Sequence, residues 1–143
     1  MPSSDSDDPD LLVDTSVAVA LVLVDHEHHA ETSRVLRAKR LGLSGHALFE
    51  TFSVLTRLPP PSRRTPAAVA RLLAANFPGS RFLGARRAAD LAAGLGSNGV
   101  AGGAVYDALV AATAAEHGLV LATRDRRALD TYRALGVRVQ LIG

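Results

Sequence analysis

The apolar runs of this chain are short, and nearly every one leads into a stretch with helical spacing. LLV (11–13) leads to Val17–Val24, LGLS (41–44) to a segment from about His46 to Leu58, and LVLAT (119–123) to Arg126–Leu135. A last run, VRVQLI (137–142), follows Gly136. Runs this brief suit strands, and strands alternating with helices restrict the fold to an open α/β sheet, mainly parallel and flanked by helices. Asp14–Ser16 is expected as the turn between the first strand and its helix.

The remaining helices are expected at about 28–39, 65–76, 85–95 and 105–117. Thr65-Pro66 supplies a cap and a first-turn proline, Pro59, Pro60 and Pro61 stop the preceding helix, and Gly118 and Gly136 close the last two. RFLG (81–84) reads as a further strand. GSNGVAGG (96–103) is glycine-rich but lacks phosphate-loop spacing.

At 143 residues the chain has the length of one domain. Residues 1–10, MPSSDSDDPD, are acidic where a signal peptide is basic, and read as a disordered tail ahead of a domain spanning 11–143. No apolar stretch reaches the roughly 18 residues of a membrane span. The absence of cysteine excludes disulfides, thiolate zinc sites and thiol catalysis, and a cytoplasmic location is the simplest expectation. Four of the 14 acids (Asp5, Asp7, Asp8, Asp10) lie in the tail, leaving 16 basic groups against 10 acidic ones on the body. All of those basic groups but Lys39 are arginines, which suit bidentate contact with phosphate. An arginine-rich composition without a nucleic-acid partner has equal standing. Arg34, Arg37 and Arg40 recur at helical spacing and suit a phosphate-facing stripe, a solvated face or a contact with a partner protein. Aromatic content of 4% argues against a base-stacking platform and for recognition by shape and backbone.

Asp14 follows the first strand and Asp125 follows the strand LVLAT. Functional groups of open α/β sheets gather at the carboxyl ends of strands. Asp107 near the start of one helix and Glu50 in another are expected to join them at the same edge. Such a cluster is stable only with protons or a bound cation, because like charges in a partly buried pocket raise one another's pKa. Oxygen-only ligands favour Mg2+ or Mn2+, and one or two such ions can activate water and stabilise the leaving oxygen of a phosphodiester. Taken singly, Asp14 is equally a helix cap and Glu50 an exposed helix residue; the joint pattern carries the expectation. Arg124, beside the acids, is the candidate for phosphate contact. Asp130, five residues beyond Asp125, is a weaker candidate for the fourth acid, because it falls inside a helix.

DHEHHAE (25–31) resembles a metal site, with His26 and His29 three apart and Glu27 between them. No third ligand is identifiable elsewhere, so a solvated helix entrance is expected. A receiver domain would need a lysine after a late strand, and a haloacid-dehalogenase-type phosphatase a second aspartate where Ser16 stands. A dinucleotide enzyme would need a glycine fingerprint that DTSVAV lacks.

The fragments LLVDTSV, ALFETFSVLTRL, GGAVYDALVAATAAEHGLVLATRD and YRALGVRV, in this order, resemble the PIN domain, and within it the VapC-type ribonuclease toxins of bacterial toxin–antitoxin pairs. The resemblance spans about residues 11 to 142. It implies a Rossmann-like α/β fold and a metal-dependent endoribonuclease that uses Mg2+ or Mn2+. The family's four acids match Asp14, Glu50, Asp107 and Asp125. Its hydroxyl after the first acid matches Thr15-Ser16, with Ser16 expected at water or phosphate and Thr123 expected to orient a carboxylate or water. The resemblance further implies an RNA substrate, a homodimer, and a small antitoxin whose C-terminal segment covers the acidic groove, with contacts between His28 and Arg71. The alternative is a catalytically silent RNA- or partner-binding module on the same fold.

Overall fold

A computed structural model describes residues 8–143 of the chain. Three of the four sheet strands, β1 (Leu11–Val13), β2 (Leu41–Leu43) and β3 (Leu121–Thr123), are buried throughout, and β4 (Val139–Leu141) forms a half-buried edge. Apolar runs that do not alternate with polar residues are what a parallel sheet covered on both faces requires. The sheet is parallel throughout, in the order β2-β1-β3-β4, with Leu11 opposite Leu41, Leu12 opposite Leu121, and Leu121 opposite Val139.

Seven α-helices cover this sheet among the described residues: α1 (Thr15–Val22), α2 (His29–Leu36), α3 (His46–Thr56), α4 (Pro66–Asn76), α5 (Ala85–Gly94), α6 (Ala104–Glu116) and α7 (Leu129–Ala134). None is long and apolar enough to cross a membrane. The core joins the strands to Val17, Ala18, Leu36, Leu55, Val69, Leu73, Phe77, Ala111, Ala114 and Tyr132. Helix α1 is apolar nearly all round and packs on α2 and α3, as a helix sunk into the core must. Thr65 caps α4 by accepting from the Ala68 amide, and Pro66 follows at its first turn.

Several boundaries move. The expected turn at Asp14–Ser16 contracts to Asp14 alone, because Asp14 caps a helix that begins at Thr15. The helix expected from Arg126 starts as a 3₁₀ turn, Arg126–Ala128, capped by Asp125. RFLG is not a strand. Only Arg81 bridges to Ser44; beyond it His117 Nε2 donates to the Phe82 carbonyl and Glu116 accepts from the Gly84 amide. Side chains at the end of α6 thus draw the segment away from the sheet. Before that departure, Gly79 and Arg81 donate to the carbonyls of Leu41 and Leu43 and cover the outer edge of β2. The approach is so close that a Cβ on Gly42 would lie 2.1 Å from the Gly79 oxygen.

Of the expected tail, residues 1–7 lie outside the described residues. Residues 8–10 are fastened to the body. Asp8 pairs with Arg81 at 2.9 Å, Pro9 is buried, and Asp10 exchanges two 2.7 Å hydrogen bonds with the Arg40 backbone.

The strand order has a functional consequence. From β1 the chain crosses to β2 on one side, and β3 lies on the other. The carboxyl ends of β1 and β3 therefore bound a switch-point crevice, where open α/β sheets place their sites.

Candidate active site

Two carboxylates enter this crevice directly from strand ends and two from helices. Asp14 ends β1 and Asp125 lies two residues past β3, while Glu50 and Asp107 project from α3 and from the first turn of α6. All four line one small polar cavity of about 50 Å³, together with Thr15, Ser16, Tyr106, Val110 and Tyr132. That space holds an ion and a few waters, since about 10–15 Å³ of it suffices for one water. A nucleotide base does not fit.

Asp14 is 4% exposed and fully engaged. Its Oδ1 accepts from the Ser16 hydroxyl at 2.6 Å and from the Val17 amide at 3.2 Å. Its Oδ2 accepts from the Thr123 hydroxyl and, at 2.8 Å, from the Tyr132 hydroxyl. Four donors match the roughly four lone-pair directions of a carboxylate. Burial raises the pKa of Asp14, and the bonds from Ser16, Thr123, Tyr132 and Val17 pull against that rise. Cap and candidate ligand are thus one side chain.

Asp107 is half-buried, and its pKa is raised first by burial and then by the charges of Asp125, Asp14 and Glu50, with Arg127 opposing. Glu50 is exposed at the cavity rim. Asp125 Oδ1 accepts from the Arg127 amide at 2.9 Å and meets its guanidinium at 3.4 Å.

Ser16 and Thr123 act on Asp14 rather than outward. Ser16 Oγ donates to Asp14 and accepts from the Arg124 amide at 2.8 Å; Thr123 Oγ1 donates to Asp14 and accepts from the Asp125 amide at 2.9 Å. The expected phosphate contact of Arg124 meets a different arrangement. Its guanidinium, 11% exposed, is bound to Glu31 at 3.0 Å and to Thr32 at 3.2 Å, tying α2 to the end of β3. Asp130 lines a separate cavity with Asn98, Val100 and Thr131.

The histidine cluster is engaged otherwise. His26 Nδ1 accepts from the His28 amide, His29 Nδ1 donates to the Ala20 carbonyl, and His28 lies 3.3 Å from Glu27. Among the described residues, no three acidic or histidine side chains stand close enough to grip an ion together. At the acid cavity the reason is visible: the Asp14 oxygens are held by donors and Asp125 is turned to Arg127. Four oxygen donors of one sign around a space of this size nevertheless suit a hard divalent cation, whose entry would exchange a hydroxyl of Asp14 for the ion.

Tyr132 and Tyr106 were not legible as site residues. The signal available for Tyr132 is an aromatic residue in a short, largely polar helix, where burial would leave its hydroxyl needing an acceptor. Burial and the negative charge and bond at Asp14 raise its pKa, so it stays a donor.

A parallel sheet with four carboxylates gathered at its switch point defines the class: an open α/β protein whose site suits a hard divalent cation. Within that class, the PIN domain profile matches residues 11–134. The chain is 49% identical over 131 residues to ribonuclease VapC27 of Mycobacterium tuberculosis (strain ATCC 25618 / H37Rv), covering 92% of this chain and 96% of that protein. Against ribonuclease VapC40 of the same species the identity is 45% over 131 residues, covering 90% and 96%. The crystal structure of M. tuberculosis VapC20, a sarcin-ricin loop cleaving toxin, superposes with a TM-score of 0.65 at 22% identity, covering 88% of this chain and 95% of that one. That last likeness bears on the fold alone. The chain belongs to the PIN-domain family.

Proposed function

We propose that this protein is a metal-dependent endoribonuclease and the toxin of a toxin–antitoxin pair. The observation that carries the reading is the convergence of Asp14, Glu50, Asp107 and Asp125 on one cavity at the switch point of a PIN fold. Relatives named as ribonucleases, similar over nearly the whole chain, support the substrate class.

The four carboxylates would hold one or two Mg2+ or Mn2+ ions, which when bound make water a stronger nucleophile and neutralise charge building on the phosphodiester. The chain's own contribution is order and proton affinity. Ser16, Thr123 and Tyr132 fix the plane of Asp14, so its carboxylate has little rotational freedom to lose when an ion displaces one of these hydroxyls. Asp107, whose proton affinity is raised by burial and by its acidic neighbours, is the carboxylate placed to accept the proton of the attacking water. Arg124 remains the candidate for phosphate contact, and Arg127, exposed and beside Asp125, is a second cation close to the acids.

A small antitoxin whose C-terminal segment covers the acidic groove, a homodimer and a cytoplasmic location complete the reading, supported by the family resemblance. The test is cleavage of total cellular RNA by the purified, antitoxin-free protein with Mg2+, with Mn2+, with chelator, and beside Asp107→Asn. Discrete fragments that vanish with chelator and with the variant are expected. A folded, metal-loaded protein that cuts nothing would move the reading to a binding module.

A further inference from the structure

Few aromatic residues occur in this chain, yet three of them are exposed on one side of the acid cavity. Tyr106 is 51% exposed, Phe49 60% and Phe82 48%. Aromatic side chains of this size are usually buried in a domain that has a core to bury them in. They are also paired. The Tyr106 ring stacks on His46 with centroids 4.7 Å apart and planes 16° from parallel, and Phe49 lies 6.2 Å from Phe82.

The helices set these rings beside the acids. Tyr106 immediately precedes Asp107 on α6 and is itself part of the cavity wall. His46, Phe49 and Glu50 stand three and four residues apart on α3 and share one face of that helix. The wall that carries two carboxylates therefore continues outward into a flat ring pair and then into a second pair.

We propose that the Tyr106–His46 pair is a stacking site for an unpaired RNA base next to the phosphate held at the acid cavity, with Phe49–Phe82 receiving the strand beyond it. This inference rests on the ribonuclease reading and adds to it the form of the substrate. A cavity of about 50 Å³ admits a phosphate oxygen, water and an ion, so the flanking base must lie outside on the rim. The rim there is an exposed aromatic ring backed by another. Single-stranded RNA is recognised by stacking splayed bases on such rings, whereas paired bases have no free face to offer. A second copy of the chain is the rival occupant of this face; membership of Tyr106 in the cavity wall favours the strand that must enter that cavity.

The test uses the full-length protein, read before turnover with Mn2+ and again in chelator, and short single-stranded oligoribonucleotides in which each adenosine in turn is replaced by fluorescent 2-aminopurine. Wild type should quench one position strongly, and Tyr106→Phe should keep the quench. Tyr106→Ala should lose it and weaken binding by roughly 5- to 150-fold, the range for loss of one base–aromatic stack. Should Tyr106→Ala fail to fold, His46→Ala, which removes the backing ring, is expected to weaken both quench and affinity. Unchanged quench and affinity in a folded Tyr106→Ala or His46→Ala protein would overturn the proposal. So would a change in light-scattering mass with RNA affinity intact, which would assign the face to a second copy. Binding is read without turnover, so the two readings separate. Tyr106-dependent quenching by a protein that cuts no RNA keeps the stacking site and removes the nuclease; cutting that ignores Tyr106 does the reverse.

Discussion

At the scale of single residues, the site is held by opposed demands on two aspartates. Asp107 has its pKa raised by burial and by Asp125, Asp14 and Glu50, so the folded protein binds its proton more tightly than the unfolded chain does. Unfolding then releases protons, and the stability tied to this group falls as pH climbs above the ordinary carboxylate value of 3.8. In metal-free protein, Asp107→Asn should therefore gain more in Tm relative to wild type at pH 7 than at pH 4, while cleavage is lost. Thermal melts of both proteins at the two pH values check this; an equal offset at both would show that Asp107 carries no such strain. Asp14 answers the same demand with hydrogen bonds. Tyr132→Phe removes one donor from a buried carboxylate and should cost about 1.5–3 kcal/mol in urea denaturation. Stability unchanged within a few tenths would mean that the phenol holds nothing. All four acids could be read from the sequence, because each sits at the end of an apolar run or on a regular helix. Tyr132 could not, because its partner is 118 residues away.

At the scale of elements, what was legible followed from local chemistry. Thr65-Pro66 starts α4, and the proline run stops α3 before Pro59. The RFLG segment misled because its apolar residues suit a strand while its fate is decided elsewhere, by Glu116 and His117 capturing its backbone. The partner of Arg124 was beyond local reading for a similar reason, since Glu31, which pairs with its guanidinium, is 93 residues away. The covered edge of β2 offers a direct test. Gly42→Ala drives a methyl into the Gly79 backbone, which cannot swing aside as a side chain would. A loss of about 1–3 kcal/mol is expected, read as a lowered Tm, with faster amide exchange at Gly79 and Arg81 as the strip lifts off. Unaltered exchange there would mean that the strip is held by something other than this contact.

At the scale of the whole molecule, the strands foretold a parallel sheet, but their order did not follow from their sequences. Which side of β1 each crossover takes is settled by how α1, α3 and α6 pack together, a property of no single segment. The order matters because it puts four like charges at one crevice, a charge excess that an ion would relieve. Mn2+ at one hundred times its dissociation constant should stabilise the protein by about 2.7 kcal/mol, seen as a rise in Tm that chelator reverses and Asp107→Asn largely removes. No rise at saturating Mn2+ would count against metal binding at this cavity.

The four donors around Asp14 come from both ends of the chain, Ser16 and Val17 beside it, Thr123 and Tyr132 from the last quarter of its length. During synthesis this has a temporal meaning. A ribosome that has made a hundred residues has already produced Asp14 and Glu50, but not Asp107, Asp125 or either distant hydroxyl. At that length the product lacks half of its acids and half of the bonds that aim the first of them. The acid cavity of such a nascent chain is complete only once its final helix, which carries Tyr132, has left the exit tunnel.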